Sequence, residues 1–363
     1  MPQGTEEPMA DVAQEPSGPL TARRAGLLYV SDSDPGIQRR RCGRGFTYLY
    51  ADGRPVRSDS ILERLEALAI PPAWDDVWIC RSHRGHLQAT GRDDLGRKQY
   101  IYHPRWQEAT AEQKYGKLLV FGQTLPRLRR KLMQQVAEPE PTLERTAAAA
   151  LLLMDRTAIR VGNEEYARRN RSYGLTTLRR THLRECDAGV RLRFVGKSGL
   201  WHDFTISDPL LVSLLQQYAA LPGKNLFKYR GADGRLVRIG ASHVNQELRR
   251  LSGLDITAKD FRTWKASALV AGHLFDAVSR GECSPPRRVI GAAVSGASEL
   301  LGNTATVCRH SYIVPRLLDS FLNCEFTEFC KRQKPRDSRW MSRHERVLLE
   351  FLATEQACAA AME

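Results

Sequence analysis

The sequence has no C-x-x-C pair; its eight cysteines are scattered at 42, 80, 186, 283, 308, 324, 330 and 358. Such spacing makes no zinc site, and in a long chain without a secretory signal it predicts reduced thiols in a cytosolic compartment. No run approaches the roughly 18 apolar residues that a membrane helix needs, so no membrane partner is expected. There is no H-E-x-x-H and no acidic cluster at metal-ligand spacing, so neither a metal nor a cofactor is expected. Gly196-Lys197-Ser198 looks like the end of a phosphate-binding loop, but Arg191 stands where that motif needs its earlier glycine. The run also leaves a strand for a hairpin, whereas a phosphate loop depends on the helix N-terminus that follows it. Nucleotide binding is excluded on this reading. No internal repeat is present.

Negative charge is scarce as well. Against 55 Lys and Arg stand 41 Asp and Glu, a net charge of +14 over 363 residues. An excess of that size favours a polyanionic partner, and nucleic acid is the commonest one. Arginine outnumbers lysine and gathers in runs such as Arg39-Arg40-Arg41 and Arg127-Leu128-Arg129-Arg130-Lys131. Guanidinium binds phosphate bidentately and keeps its charge, although any single run is more simply a solvated face. With 42% apolar residues the chain is long enough for two domains, each with its own core.

Residues 1–22 are rich in Glu, Pro, Gly and Ala without hydrophobic period and read as a disordered tail. From Leu27 to about Tyr102 the pattern is mostly strand-like: Phe46–Tyr50 with a turn at Asp52-Gly53, Val77–Cys80, His86–Thr90 and Gln99–His103. One helix, Ser60–Leu68, interrupts it and stops at Pro71-Pro72. After Pro104 the period becomes helical, with Pro126 a point where the long helix could kink or restart. Thr142 caps a helix through Ala147–Met154, with Gly162-Asn163 expected near its end. A β element then covers Thr177–Leu183, Val190–Val195 and Leu200–Ile206, which places Lys197 at a hairpin tip. Helices resume near Leu210, Val244, Phe261, Val289 and Leu317, and a last one spans Glu345–Ala359. The expected fold class is α+β: a small β-rich domain (23–106), then a larger mainly α-helical domain (107–325) with a small β-hairpin element. A helical extension (326–363) completes the chain.

Tyr312 is the residue with the most chemistry in it. A phenol is a poor nucleophile at neutral pH, its pKa being about 10, and it becomes useful where cations surround the group it attacks. Arg160, Lys197 and Arg262 stand in separate, well-formed contexts. Taken singly, each has a plain structural explanation: a helix C-terminus for Arg160, a solvated tip for Lys197, an ion pair for Arg262 and a core aromatic for Tyr312. Together, two arginines, a lysine, an amide and a tyrosine suit attack on a phosphodiester.

Six segments in order, over about residues 25 to 325, carry a family resemblance. They are Pro71-Pro-Ala-Trp with Val77-Trp-Ile; Gly91-Arg-Asp through Arg97-Lys-Gln-Tyr-Ile-Tyr-His-Pro-Arg-Trp106; and Ile159-Arg-Val-Gly-Asn. Phe194-Val-Gly-Lys, Lys259-Asp-Phe-Arg-Thr-Trp, and Leu301-Gly-Asn-Thr with Ser311-Tyr-Ile complete the set. The chain resembles the type IB DNA topoisomerases of the bacterial and poxvirus kind.

The resemblance implies a catalytic pentad at Arg160, Lys197, Arg262, Asn303 and Tyr312. Poxvirus members carry histidine where this chain has Asn303, so no proton donor is obligatory there, and an amide hydrogen bond to a phosphate oxygen is enough. His310 matches no catalytic position. Gln99, Tyr100, Tyr102, Tyr166 and Lys259 match DNA-contacting positions; for the two tyrosines of the strand, which share a face, core packing is an equal alternative. The implied enzyme acts as a monomer in the nucleoid, with its two domains clamped on double-stranded DNA. It relaxes supercoils through a 3′-phosphotyrosyl intermediate, without ATP or metal. Two alternatives stay open: a tyrosine site-specific recombinase, which shares the ester chemistry, and a noncatalytic DNA-binding protein that has kept the fold.

Overall fold

Alternating apolar and polar residues between short turns build the first part of the chain as one antiparallel sheet. The structure, a computed structural model, describes residues 18–43 and 45–360; the side chains of residues 111–115 and 358–360 lie outside that description. The chain divides into two compact units, residues 1–115 and 116–363.

The first unit holds α1 (Gly18–Arg24), β1 (Ile37–Cys42), β2 (Gly45–Tyr50), α2 (Asp59–Ala67), β3 (Asp75–Ile79), β4 (Leu87–Arg92) and β5 (Lys98–Tyr102). Its five strands lie in the order β2-β1-β3-β4-β5, every pair antiparallel. Ile37, Val77, Ile79 and Ala89 of the sheet are buried with Val56 and with Leu65 of α2. The Pro71-Pro-Ala-Trp segment is held from beneath: Arg39 of β1 donates to the carbonyls of Ile70, Pro71 and Trp74 at 2.9, 2.9 and 2.7 Å. The expected tail needs correcting where it is described. Residues 18–22 belong to α1, whose Ala22 is buried with Leu27 and Trp106. The buried residues of that short helix are Gly18, Thr21 and Ala22, all small and too few to register as a hydrophobic period. Residues 1–17 lie outside the described residues.

The division between the units falls within α3 (Pro104–Val136), which Pro126 does not divide. The second unit continues with α4 (Leu143–Thr157), α5 (Glu164–Asn170), β6 (Leu183–Cys186), β7 (Gly189–Val195), β8 (Trp201–Ile206) and α6 (Pro209–Ala220). A short hairpin follows, β9 (Lys228–Arg230) and β10 (Leu236–Arg238). Then come α7 (Ala241–Ser252), α8 (Ala258–Arg280), α9 (Pro286–Leu301), α10 (Ala305–Tyr312), α11 (Pro315–Leu322), α12 (Glu325–Lys331) and α13 (Arg343–Ala360). Thr142 caps α4 as expected, its side chain accepting from Arg145 N at 3.1 Å. The helix ends earlier than Gly162, at a left-handed Ala158. Residues Ala147–Met154 are all buried, with α6, α7 and α8 packed around α4. In β7, Val190, Leu192 and Phe194 face inward while Arg191 and Arg193 face out, the two-residue period of a half-buried strand. The strand expected from Thr177 begins only at Leu183; short 3-10 turns precede it.

The C-terminal extension is tied into this core. Glu345 of α13, 3% exposed, accepts from both terminal nitrogens of Arg129 (2.9 and 2.7 Å), from Trp264 Nε1 (3.1 Å) and from Lys265 Nζ (3.2 Å). Asp155 of α4 accepts from Arg129 Nε at 2.7 Å and lies 3.3 Å from Lys265 Nζ. Two buried carboxylates are thus met by two cations and an indole N–H, the condition for tolerating charge in a core. The network joins α3, α4, α8 and α13. Among the described residues, no helix is long and apolar enough to cross a membrane.

Candidate active site

Arg160 leaves the end of α4 in an extended segment with a fixed backbone. Its carbonyl accepts from Leu175 N, and that of Val161 from Thr176 N, both at 2.8 Å. Gly174 closes the contact: a Cβ there would come within 2.6 Å of Gly162 Cα and 2.7 Å of the Arg160 oxygen. The Arg160 guanidinium then reaches the turn after α9, donating to Gly302 O at 3.3 Å and to Asn303 Oδ1. A guanidinium can only donate, so the amide oxygen of Asn303 faces Arg160 and Nδ2 points away. That Nδ2 is buried without a hydrogen-bond partner.

Arg262 enters from the first turns of α8 and is 4% exposed. It donates to Leu301 O at 2.9 Å and to Ala158 O, while its Nε is buried and unpartnered. The same guanidinium lies 5.1 Å from the centroid of the Tyr312 ring. Tyr312 is the last residue of α10, a helix capped by Thr304, which accepts from Val307 N. Ser267 Oγ of α8 donates to Tyr312 O at 3.0 Å and accepts from Val314 N at 3.2 Å, pinning the backbone on both sides of the tyrosine. Ser267 carries no sequence signal, being one polar residue among the buried positions of a long helix.

Arg160, Lys197, Arg262 and Tyr312 line one open cleft of about 370 Å³ together with Tyr166 and Lys259. Lys197 is exposed in the turn between β7 and β8. Asn303 sits behind Arg160. Gln99, Tyr100 and Tyr102 are on β5 of the first unit. There the Tyr100 and Tyr102 rings stack at 5.9 Å, Tyr100 exposed and Tyr102 packed partly against the Ala22–Trp106 cluster. Gln99 donates to Asp93 at 2.8 Å. His310 lies on α10 beside a different groove, with Arg287 and Arg309.

The cleft is lined by the cations Arg160, Lys197, Lys259 and Arg262, with no Asp or Glu among its lining residues. Neither Arg160 nor Arg262 is paired with a carboxylate among the described residues, although Arg262 is buried and Arg160 half-buried. Burial and the neighbouring Arg262 push the Arg160 guanidinium down to about 10, still protonated at neutral pH. Burial also lowers Arg262, against the pull of Tyr312. For Tyr312, burial works to raise the phenol, but the charge and hydrogen bond of Arg262, helped by Arg160 and Lys259, carry it below its ordinary value. Buried cations need a counter-charge. Two guanidinium groups beside a phenol of lowered pKa line this cleft, whereas Asn303 is not among its lining residues. Among the described residues, no group of three or more His, Cys, Asp or Glu side chains is arranged to hold a metal ion.

Comparison with known proteins matches the same stretches. The family described as eukaryotic DNA topoisomerase I, catalytic core, matches residues 103–322, and the bacterial DNA topoisomerase IB N-terminal domain matches residues 45–93. The chain is 29% identical over 296 residues to the DNA topoisomerase 1B of Acanthamoeba polyphaga mimivirus, covering 79% of this chain and 88% of that protein. It is 22% identical over 286 residues to the DNA topoisomerase 1B of vaccinia virus (strain Copenhagen), covering 76% and 86%.

Proposed function

Because the chain belongs to the type IB DNA topoisomerases, which relax supercoiled duplex DNA by cutting and rejoining one strand, we propose that its chemistry runs through Tyr312, Arg160, Arg262, Asn303 and Lys197. The observation that supports this assignment is a pair of arginines, Arg262 buried and Arg160 half-buried, that meet no carboxylate among the described residues and lie beside a phenol of lowered pKa.

Tyr312 Oη attacks a backbone phosphorus. The new P–O bond to tyrosine forms as the P–O5′ bond breaks and the phenolic proton passes to solvent, leaving a 3′-phosphotyrosyl ester and a free 5′-hydroxyl. Arg160 and Arg262 bind the nonbridging oxygens, whose charge grows at the pentacoordinate transition state, and Asn303 Nδ2 adds a hydrogen bond. These contacts accelerate cleavage to the extent that they tighten at that transition state. The departing 5′-oxygen is strongly basic, and Lys197 gives it a proton from the hairpin tip. The ester conserves the energy of the broken diester, so the 5′-hydroxyl can attack back once the strand has swivelled. No nucleotide or metal enters this scheme, because cationic side chains supply the charge.

Tyr166 and Lys259 add phosphate contacts at the cleft, and Gln99, Tyr100 and Tyr102 contact DNA from the first unit. A monomer clamps the duplex with both units and works in the nucleoid. Affinity is phosphate-driven and falls with salt.

The test is relaxation of a negatively supercoiled plasmid in EDTA without ATP, wild type beside Tyr312→Phe. Relaxation by the wild type alone, with a covalent protein–DNA adduct that the variant lacks, is the expected result. Equal relaxation by both would remove Tyr312 from the mechanism. Inactivity of both, with DNA binding intact, would favour the noncatalytic reading.

A further inference from the structure

His202 of β8 occupies a place that no part of this mechanism uses. It is 8% exposed, and its ring stacks on Phe194 at 5.1 Å and on Phe204 at 5.7 Å. Its outer edge touches two backbones. A Cβ on Gly196 would come within 2.5 Å of His202 Cδ2 and Nε2, and one on Gly302 within 2.6 Å of Cε1. Gly196 is the residue before Lys197, and Gly302 the residue before Asn303. The imidazole therefore fills the space between the hairpin that bears Lys197 and the turn that bears Asn303.

We propose that His202 is a positioning residue that braces the Lys197 hairpin against the Gly302-Asn303 turn, and so sets where the lysine delivers its proton. Several observations support it. The hairpin tip itself is exposed and has few anchors: Gly196 N donates to Leu200 O at 2.7 Å within the turn, and Tyr173 N donates to Val195 O at 2.7 Å behind it. Both contacting residues are glycines, so the ring edge meets backbone rather than yielding side chains, and a displacement of the ring is passed directly to the chain. The ring acts by shape: burial, with Arg160 and Arg262 nearby, pushes His202 down to about 4, so it is neutral at working pH and adds no third charge beside the two guanidinium groups. Among the described residues its ring nitrogens make no hydrogen bond. An uncharged wedge is what such a place requires, since a protonated imidazole would repel both arginines.

The proposal rests on the assignment of Lys197 as the proton donor, and its test separates the two. A duplex with a bridging 5′-sulfur at the cleavage site has a thiolate leaving group, which departs without a proton. Single-turnover cleavage of the sulfur and the ordinary oxygen duplex is measured for wild type, Lys197→Ala, His202→Ala and His202→Phe, with DNA binding measured in parallel. Misplacing a catalytic group by about an ångström can cost about a hundredfold. His202→Ala is expected to cleave the oxygen duplex about a hundredfold slower and the sulfur duplex near the wild-type rate, as Lys197→Ala does. His202→Phe, which keeps a flat neutral ring, is expected to recover most of the loss. Equal slowing of His202→Ala on both duplexes, or no slowing on either, would overturn the role of His202. Should His202→Ala fail to fold, His202→Phe as slow as Lys197→Ala on the oxygen duplex would overturn it equally. If Lys197→Ala itself is not rescued by sulfur, the fault lies with the proton-donor assignment.

Discussion

The guanidinium of Arg262 lies 5.1 Å from the Tyr312 ring centroid while donating to the carbonyls of Ala158 and Leu301. One side chain thus ties the end of α4, the end of α9 and the tyrosine of α10 into a single arrangement. It also lowers the energy of the tyrosinate, which would otherwise be disfavoured by burial.

This gives a signed pH dependence. Cleavage of a 5′-sulfur duplex, which does not need the Lys197 proton, should rise with pH until the phenol ionises, with the rise ending below the ordinary tyrosine value of 10.0. In Arg262→Gln the stabilising cation is gone while burial remains, so the rising limb should move to higher pH and the plateau should fall. A limb at the same pH in both proteins would show that Arg262 does not act on the phenol.

Asn303 offers a cleaner probe of charge stabilisation, because its Nδ2 is buried with no hydrogen-bond partner. Asn303→Ala should slow single-turnover cleavage by about 10²- to 10³-fold, the usual effect of deleting one preorganised donor. DNA affinity, set by many phosphate contacts, should change little. An affinity loss as large as the rate loss would mean that the amide binds the ground state and the transition state alike.

Glu345 tests whether the C-terminal extension is part of the catalytic fold. Glu345→Ala leaves the half-buried Arg129 and Lys265 short of a partner and should cost about 3 kcal/mol in urea denaturation at pH 7. Burial alone would raise this carboxyl, but Arg129 and Lys265 hold it far below its ordinary 4.5. A depressed folded-state pKa contributes stability above the unfolded value and loses it as pH falls. The gap between wild type and variant should therefore narrow as pH drops below 4.5. A constant gap across that range would rule out the ionised network as its source.

The elements with a strong period were legible in the sequence. The β7–β8 hairpin shows its two-residue alternation, and α4 its capped apolar run. Other features were not legible, because their signals are short or come from distant residues. Nothing in the run Ala305–Ser311 marks α10 as a helix strongly, yet Thr304 caps it and it carries Tyr312 at its last position. The end of α4 was expected near glycine and occurs at Ala158, whose left-handed backbone is held in place while its carbonyl accepts from Arg262. Ser267 and His202 had no local signature, since Ser267 meets the backbone of Tyr312 and Val314 and His202 meets Gly302, all far from them along the chain.

The sequence by itself determined the chemistry available: which cations, which amide and which phenol the chain carries, and in what order. Residue type and spacing are local properties, and the six ordered segments state them. Only the tertiary structure decided that Arg160 and Asn303, 143 residues apart, share a hydrogen bond, that neither Arg160 nor Arg262 meets a carboxylate among the described residues, and that His202 lies between Gly196 and Gly302. Those facts depend on burial and on which backbones meet, and these arise from the packing of the whole second unit rather than from any one stretch of residues.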